Sequence, residues 1–336
     1  MAEFVSTFIT GFQSVVENDL LVHFPSLKII NLFDGLVHYK FDTDSHELEK
    51  IIYFNNTFFV LKTMKGKSLN FPSLVNAVCS SKNYFLVNKG TFRIRFVQEN
   101  QFVKIDKNLT RRAEEYVLSN SKLKLDRLSP TNEVWFSIRR ESFAFCGELI
   151  AKREFTEKNL NKGELRPEIA YLICCFASVH PEDSVLEPFS GYGSISIQLA
   201  NKFRFKKLFT SDNDESKVNF IAARMRLSEA QNERIDCRTA DALTLSHIED
   251  KSISLIITDP PWGFYEDIGD INVFYKKMLK SFSRVLASNG RIVLLSARKQ
   301  ELEQCAKDCG FEIKTIIHTL VNGKKAGVYL IEKAGA

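Results

Sequence analysis

The fold of this chain is decided by the stretch Ile253-Ser254-Leu255-Ile256-Ile257-Thr258-Asp259-Pro260-Pro261-Trp262-Gly263. Its apolar, β-branched half predicts a buried parallel strand, and the residues after Thr258 predict a rigid loop at the carboxyl end of that strand, where open α/β sheets bind ligands. Because proline lacks an N–H, Pro260 and Pro261 contribute no backbone donors to this loop. The loop instead offers the Asp259 carboxylate, free carbonyl oxygens and the flat ring of Trp262. Such a set suits a planar ring that carries an amino group; the alternative is a strand-to-turn stop with a packed Trp262.

The segment from residue 165 onward has the pattern of a doubly wound α/β sheet, because predicted strands and helices alternate along it. A helix is expected to begin at Pro167, since proline suits the first helical position. The predicted strands are 184–187, 208–211, 235–239, 253–258 and 291–295, and the predicted helices are 194–203, 215–227, 273–286 and 299–309. Two further strands flank Asn322-Gly323, a strong hairpin signal, so the sheet should end in an antiparallel hairpin.

The residues before 165 predict small α+β units. Strands are expected at 4–9, at 32–41 with a break at Asp34-Gly35, and at 58–63, 91–96, 134–140 and 142–150, and helices are expected at 11–21, 46–53, 70–81 and 109–121. We expect one α+β domain at 1–62, a second at 63–150, a polar linker at 151–164 and the α/β domain at 165–336.

Positive charge is concentrated in the middle of the chain. Residues 60–164 hold 20 Lys and Arg against 11 Asp and Glu, whereas residues 1–59 have a net charge of −5 and residues 165–336 a net charge of +1. A basic segment with interleaved aromatic residues is typical of proteins that bind nucleic acid, and RNA in particular. The alternative is a solvated surface that is rich in lysine.

Membrane, secretion and metal functions are not favoured by the composition. No stretch approaches the roughly 20 apolar residues of a membrane span, and the start does not have the layout of a signal peptide, so we expect a cytoplasmic protein. The seven cysteines are scattered through apolar segments, which indicates reduced thiols. Cys305 and Cys309 lack the partners of a zinc site, so no metal is expected.

A glycine loop follows the first strand of the α/β domain, with the sequence Glu187-Pro188-Phe189-Ser190-Gly191-Tyr192-Gly193. The two glycines allow positive φ and close approach of a ligand to the free amides of the next helix. Ser196 stands where the dinucleotide fingerprint G-x-G-x-x-G requires its third glycine. The loop therefore indicates a cofactor site without identifying a nicotinamide cofactor.

Acidic residues stand at the ends of four consecutive strands, at Glu187, Asp212, Asp241 and Asp259. Asp212 lies 21 residues after Gly191, where a carboxylate can accept hydrogen bonds from ribose hydroxyls. Asp241 could accept one from an exocyclic amine. Taken alone, Asp212 is explained equally well as part of a helix cap.

These ordered motifs resemble those of class I S-adenosylmethionine-dependent methyltransferases, and the Asp-Pro-Pro-Trp loop resembles the motif of enzymes that methylate exocyclic amines. Leu165-Arg166-Pro167-Glu168 and the segment 134–149 are similar to the THUMP-containing tRNA guanine-N2 methyltransferase family. The resemblance covers nearly the whole chain but is looser in residues 1–130, and the Glu-Pro-Phe-Ser-Gly-Tyr-Gly loop departs from the family pattern. It implies a Rossmann-like methyltransferase sheet preceded by ferredoxin-like and THUMP-like RNA-binding domains.

The resemblance also implies the roles of particular residues. S-adenosylmethionine contacts are expected from the following residues: Arg166, Pro167, Glu187, Pro188, Phe189, Ser190, Gly191, Gly193, Asp212, Asn213, Asp241 and Ala242. Catalysis is expected from Asp259, Pro260, Pro261 and Trp262. In this interpretation the target base leaves its stack and stacks on Trp262, while the Asp259 carboxylate and the Pro260 carbonyl accept the N–H bonds of its amino group.

The expected activity is methyl transfer from S-adenosylmethionine to the exocyclic N2 amine of a guanosine in tRNA, and we favour a monomer. The motif suits any exocyclic amine, so a ribosomal RNA guanine-N2 enzyme or an adenine-N6 enzyme is an alternative. Another is a non-catalytic RNA-binding protein with a methyltransferase-like fold. A nicotinamide-dependent oxidoreductase is disfavoured by Ser196 and by the Asn322-Gly323 hairpin.

Overall fold

The computed structural model describes residues 2–42, 47–48, 51–153, 160–225, 233–264 and 267–335. Contacts divide the chain into two compact units. The first comprises Met1–Phe8 and Leu20–Glu154, and the second comprises Ile9–Asp19 and Phe155–Ala336. Helix α1, Gln13–His23, spans the point of division.

The first unit contains one mixed sheet. Its strands are β1 Ala2–Thr7, β2 Lys28–Phe33, β3 Leu36–Phe41, β4 Asn56–Lys65, β5 Thr91–Gln98, β6 Gln101–Phe102, β7 Lys124–Leu125, β8 Asn132–Arg139 and β9 Phe143–Lys152. They lie in the order β2-β3-β1-β4-β9-β8-β5-β6, with β7 beside β5. Strand β5 runs parallel to β7 and β8, and the other pairs are antiparallel. Because β9 pairs with both β4 and β8, the sheet is continuous; the division into domains at 1–62 and 63–150 stays a prediction.

Helices α2, Phe71–Cys79, and α3, Lys107–Asn120, pack on this sheet. Helix α2 begins where the sequence predicts it because Asn70 and Ser73 form a reciprocal capping box. The apolar residues of the two helices pack against those of β5 and β8. Phe92 on β5 and Phe136 on β8 are fully buried in this core. The predicted helix at 46–53 falls partly on residues 46, 49 and 50, which lie outside the described residues.

The second unit is an α/β sheet of seven strands. Its elements are α4 Pro167–Phe176, β10 Ser184–Glu187, α5 Ser194–Lys202, β11 Lys207–Asp212, α6 Glu215–Arg224, β12 Ile235–Thr239, β13 Ile253–Thr258, α7 Ile271–Val285, β14 Leu286–Ser296, α8 Lys299–Asp308, β15 Phe311–Val321 and β16 Lys324–Lys333. The order is β12-β11-β10-β13-β14-β16-β15. Strands β10 to β14 are parallel, whereas β16 is antiparallel to β14 and β15. The predicted doubly wound α/β class is confirmed.

The strand order reverses between β10 and β13. From β10 the chain proceeds outward through β11 and β12 and then returns to β13 on the other side of β10. Open α/β sheets bind ligands at the carboxyl ends of the strands beside such a switch point. Glu187 ends β10, and Asp259 directly follows β13.

Two details of the α/β unit follow directly from local sequence. Pro167 occupies the first turn of α4, as predicted. Asn322 and Gly323 have φ values of 50° and 76°, the left-handed conformation that a two-residue hairpin turn of type I′ requires. The predicted antiparallel ending of the sheet is therefore confirmed by β15 and β16.

Strand β13 lies in the centre of the core, which explains its nearly continuous apolar sequence. Ile253, Ile256 and the α7 residue Phe282 are fully buried in one cluster. Burial of a side chain such as Phe282 contributes roughly 1.5–3 kcal/mol. This packing holds the end of β13, and the loop after it, in place.

In the described part of the chain, none of the helices combines the length and the apolar character that a membrane crossing requires.

Candidate active site

A cavity of about 580 Å³ lies at the carboxyl ends of the strands in the second unit. It brings together thirteen of the residues that the sequence analysis selected. They are Glu187, Pro188, Phe189, Ser190, Gly191, Asp212, Asn213, Asp241, Ala242, Asp259, Pro260, Pro261 and Trp262. The four strand-end acids therefore line one cavity.

Three of the selected residues do not line this cavity: Arg166, Pro167 and Gly193. Arg166 precedes α4, and its guanidinium donates to the buried carboxylate of Glu168. Gly193 precedes α5 with φ 82°, and an added Cβ would lie 2.8 Å from Cγ1 of Ile221. This glycine thus permits both a left-handed turn and close packing of α6.

The side chain of Ser196 explains why the third glycine of the dinucleotide fingerprint is replaced. Ser196 is fully buried in α5; its hydroxyl donates to the carboxyl group of Glu187 and lies 2.6 Å from the Thr210 hydroxyl. Burial raises the pKa of Glu187 well above its ordinary value, a hydrogen bond from the Ser196 backbone amide opposes this shift, and the Asp212 and Asp259 carboxylates add to it. Ser196 therefore satisfies a buried carboxyl group beneath the glycine loop.

Replacing Ser196 with alanine is expected to lower the free energy of unfolding by about 1–3 kcal/mol, since a buried carboxyl group and a buried hydroxyl group lose a partner. Urea unfolding measures this loss. Ser216→Ala removes a hydroxyl from an exposed hydrogen bond at the start of α6 and is the matched control, with an expected change of at most about 0.5 kcal/mol. Equal losses in the two variants would contradict this role of Ser196.

Asp212 organises the glycine loop and the start of α6. Its carboxylate accepts hydrogen bonds from the amides of Gly191 at 2.8 Å and Asp214 at 3.0 Å, and the Lys217 ammonium lies 3.9 Å away. The sequence suggested either a ligand-binding carboxylate or part of a helix cap at Asp212. In the structure the residue lines the cavity and also fixes the turn before α6. Asp241 is exposed, and one of its oxygens accepts the Leu243 amide at 2.8 Å.

The loop after β13 places Asp259 and Trp262 side by side in the cavity wall. Burial raises the pKa of Asp259 to about 7, and a hydrogen bond from the Trp262 side chain opposes this shift. The indole Nε1 of Trp262 also donates to the carbonyl of Leu295 at 3.3 Å. One edge of the indole is thus held by β14, while the residue lines the cavity.

Comparison with known proteins identifies the family of this chain. Residues 153–326 match the family UPF0020, described as RMKL-like, methyltransferase domain. The chain belongs to this family. It is 24% identical over 253 residues to the tRNA (guanine(6)-N2)-methyltransferase of Thermus thermophilus, with 74% of each protein covered. It is 25% identical over 207 residues to the tRNA (guanine(6)-N(2))-methyltransferase THUMP3 of Mus musculus, with 55% of this chain and 41% of that protein covered.

Solved structures show the same fold over the whole chain. The crystal structure of TrmN from Thermus thermophilus superposes with a TM-score of 0.80 at 20% identity, covering 99% of this chain and 100% of that one. A possible methylase from Clostridium difficile 630 superposes with a TM-score of 0.72 at 16% identity, covering 100% and 99% of the two chains. At these low sequence identities, both similarities show that the fold is shared.

The methyltransferase domain has further cavity residues that the sequence analysis did not select. Four of them, Lys162, Gly163, Glu164 and Leu165, come from the end of the predicted linker and the start of the predicted domain. Glu164 accepts hydrogen bonds from Asn161 and from the Arg224 guanidinium, the latter at 3.0 Å. The burial of Glu164 is a property of the fold, so the polar sequence of this segment carried no signal for this wall.

The opposite end of the sequence also contributes to the cavity of the methyltransferase domain. Val321 and Asn322, at the hairpin turn between β15 and β16, line it together with Phe264 and Phe274. The Asn-Gly pair identifies the turn in the sequence but carries no signal for its position next to the cavity. Among the described residues, no group of three or more His, Cys, Asp or Glu side chains could hold a metal ion.

Proposed function

We propose that this methyltransferase transfers the methyl group of S-adenosylmethionine to the exocyclic N2 amine of a guanosine in tRNA. The observation that carries the proposal is the position of the Asp259-Pro260-Pro261-Trp262 loop in the same cavity as Glu187, Asp212 and Asp241. Relatives named as tRNA guanine-N2 methyltransferases support the choice of guanine and of tRNA.

The cavity wall fits S-adenosylmethionine chemically. The Ser190 hydroxyl is buried in this wall and has no hydrogen-bond partner among the described residues, so it is available to a ligand. The Asp212 and Asp241 carboxylates are acceptors for ribose hydroxyls and for an adenine amine, respectively. We propose that these residues and the glycine loop hold the cofactor. When bound, S-adenosylmethionine supplies an electrophilic methyl group attached to a sulfonium sulfur.

The Asp259 loop holds and orients the methyl acceptor. Trp262 offers a ring face for stacking of an unstacked base. The Asp259 carboxylate and the Pro260 carbonyl accept the two N–H bonds of the amino group, which favours a tetrahedral nitrogen whose lone pair is directed away from the ring. Since an aryl amine is a poor nucleophile, this positioning and the negative charge of Asp259 provide the rate enhancement. Asp259 or water takes the proton that the amine loses.

The activity is expected to rise with pH through about pH 7, because the pKa of Asp259 is raised to about 7 and only its deprotonated form is a negatively charged acceptor for one N–H bond of the amino group. Below that pH the carboxyl group is protonated, so its negative charge is lost and one of its oxygens becomes a donor. Initial rates of methyl transfer between about pH 5.5 and pH 8.5 under kcat/KM conditions measure this profile. A flat profile across this range would contradict the role of Asp259 as an ionised acceptor.

The basic first unit supports an RNA substrate. The basic residues on β5 are partly neutralised, since Arg93 and Arg95 both approach the Glu133 carboxylate. Other basic side chains are exposed: Lys65, Lys67, Lys82, Lys89, Lys104, Lys107, Arg111, Arg112, Lys122, Lys124, Arg127 and Arg140. Cations of this kind bind RNA mainly through its phosphates, so the affinity should fall as salt is added. The monomeric state and the cytoplasmic location stay predictions.

The proposed function is tested by incubating the protein with unmodified tRNA transcripts, and separately with unmodified ribosomal RNA, in the presence of S-adenosylmethionine carrying a labelled methyl group. Digestion and mass spectrometry of the nucleosides should show labelled N2-methylguanosine. Labelled N6-methyladenosine, or transfer to ribosomal RNA alone, would favour the two enzyme alternatives. No transfer to any RNA would overturn the proposal and favour a non-catalytic RNA-binding protein.

A further inference from the structure

One arginine outside the cavity fastens the loop that lines it. Arg298 lies just before α8, at the end of the connection that follows β14. Its Nε donates to the carbonyl oxygen of Trp262 at 2.8 Å, and its guanidinium carbon lies 4.3 Å from the centroid of the Phe264 ring. Both contacts are to residues that line the cavity, whereas Arg298 does not.

Arg298 is itself held in place by the core. Its backbone amide donates to the Ser296 hydroxyl at 2.9 Å, and that hydroxyl lies 2.7 Å from the hydroxyl of the buried Tyr275 on α7. The Glu301 carboxylate lies 3.6 Å from the guanidinium. The arginine is therefore connected to a rigid part of the domain.

The loop has particular need of an external anchor. Pro260 and Pro261 cannot donate backbone hydrogen bonds. Trp262 compensates with two hydrogen bonds: its indole N–H donates to the Leu295 carbonyl on β14, and its own carbonyl accepts from Arg298, which follows β14. The first contact fixes the ring edge, and the second fixes the backbone. Loss of either contact leaves the ring plane less restrained.

We propose that Arg298 is a positioning residue that sets the orientation of Trp262 and Phe264 for the methyl-accepting base. The catalytic part of this inference rests on the proposed function, whereas the effect on Trp262 does not. A planar guanidinium can donate in its plane to the Trp262 carbonyl while its face covers the Phe264 ring, which an ammonium group cannot reproduce. Lysine at this position should therefore restore only part of the effect.

The experiment compares Arg298→Met and Arg298→Lys with Lys299→Met, which removes the neighbouring exposed charge and its contact with Glu303 at 3.8 Å. We expect kcat for RNA methylation to fall about 10- to 100-fold in Arg298→Met, as for a displaced substrate-positioning group, and less in Arg298→Lys. The affinity for S-adenosylmethionine, measured by calorimetry, should be unchanged in all three variants, and Lys299→Met should behave as the wild type.

A second readout does not require activity. The chain has two tryptophans, Trp135 and Trp262, so Trp135→Phe leaves Trp262 as the sole indole fluorophore. In this background Arg298→Met should increase the quenching of Trp262 by acrylamide, and Lys299→Met should not. If the wild type methylates no RNA, the proposed function fails while quenching still decides the positioning role. The inference would be overturned if Arg298→Met left the quenching of Trp262 unchanged or kept the wild-type kcat. It would also be overturned if Arg298→Met lost kcat, cofactor affinity and thermal stability to the same extent.

Discussion

Asp259→Asn is expected to reduce kcat for RNA methylation by about 100- to 1,000-fold, the usual cost of removing one group that stabilises a transition state. Asparagine has nearly the same shape as aspartate, but it replaces one acceptor oxygen with an amide donor that faces the N–H bonds of the substrate. It also removes the charge that stabilises the developing positive nitrogen. The loss of kcat should therefore occur without loss of the fold.

The matched control for this variant is Asp270→Asn. Asp270 caps α7 by accepting the amides of Asn272 and Val273, and asparagine caps a helix about as well as aspartate. Single-turnover rates, with S-adenosylmethionine binding measured separately by calorimetry, distinguish chemistry from binding. Near wild-type rates in Asp259→Asn would contradict the acceptor role, as would an equal effect in Asp270→Asn.

Trp262→Ala is expected to weaken methylation by about 5- to 150-fold, because stacking of a base on an aromatic ring contributes about 1–3 kcal/mol. Most of the effect should appear in KM for RNA. S-adenosylmethionine binding should be largely intact, since the glycine loop and the strand-end acids lie on other elements of the cavity.

Trp262→Phe separates the ring face from the indole N–H. This variant keeps an aromatic surface but loses the indole N–H, and with it the hydrogen bonds to the Leu295 carbonyl and to Asp259. Its activity should lie between those of the wild type and Trp262→Ala. Equal losses of RNA methylation and of cofactor binding in Trp262→Ala would show that the residue is merely part of the core.

Sequence alone was sufficient for the α/β architecture because its signals are local. Strand β13 coincides with the predicted 253–258 since its apolar run is bounded by Ser252 and by the acid and prolines that follow. The carboxyl ends of parallel strands lie at the same edge of a sheet, so four acids at strand ends predict one site from sequence alone. The cavity lining of Asp212 and Asp241 follows from the same geometry.

Other parts of the site depend on tertiary placement and carry no local signal. Ser196 could be recognised as a departure from the glycine fingerprint, but its hydrogen bond to Glu187 requires α5 and β10 to be placed in three dimensions. Arg298 is 36 residues from Trp262 in sequence, and an arginine at the start of a helix is unremarkable by itself. The cavity walls from residues 162–165 and from Asn322 are equally non-local.

The most direct test of the central claim changes a single atom group in the substrate. Once digestion has located the guanosine that is methylated, a tRNA with inosine at that position, made by ligation, lacks the exocyclic N2 amine but keeps the rest of the base. We predict full transfer of the labelled methyl group to the guanosine tRNA and no transfer at the inosine position. Equal labelling of the two tRNAs at that nucleotide would contradict methylation of the N2 amine.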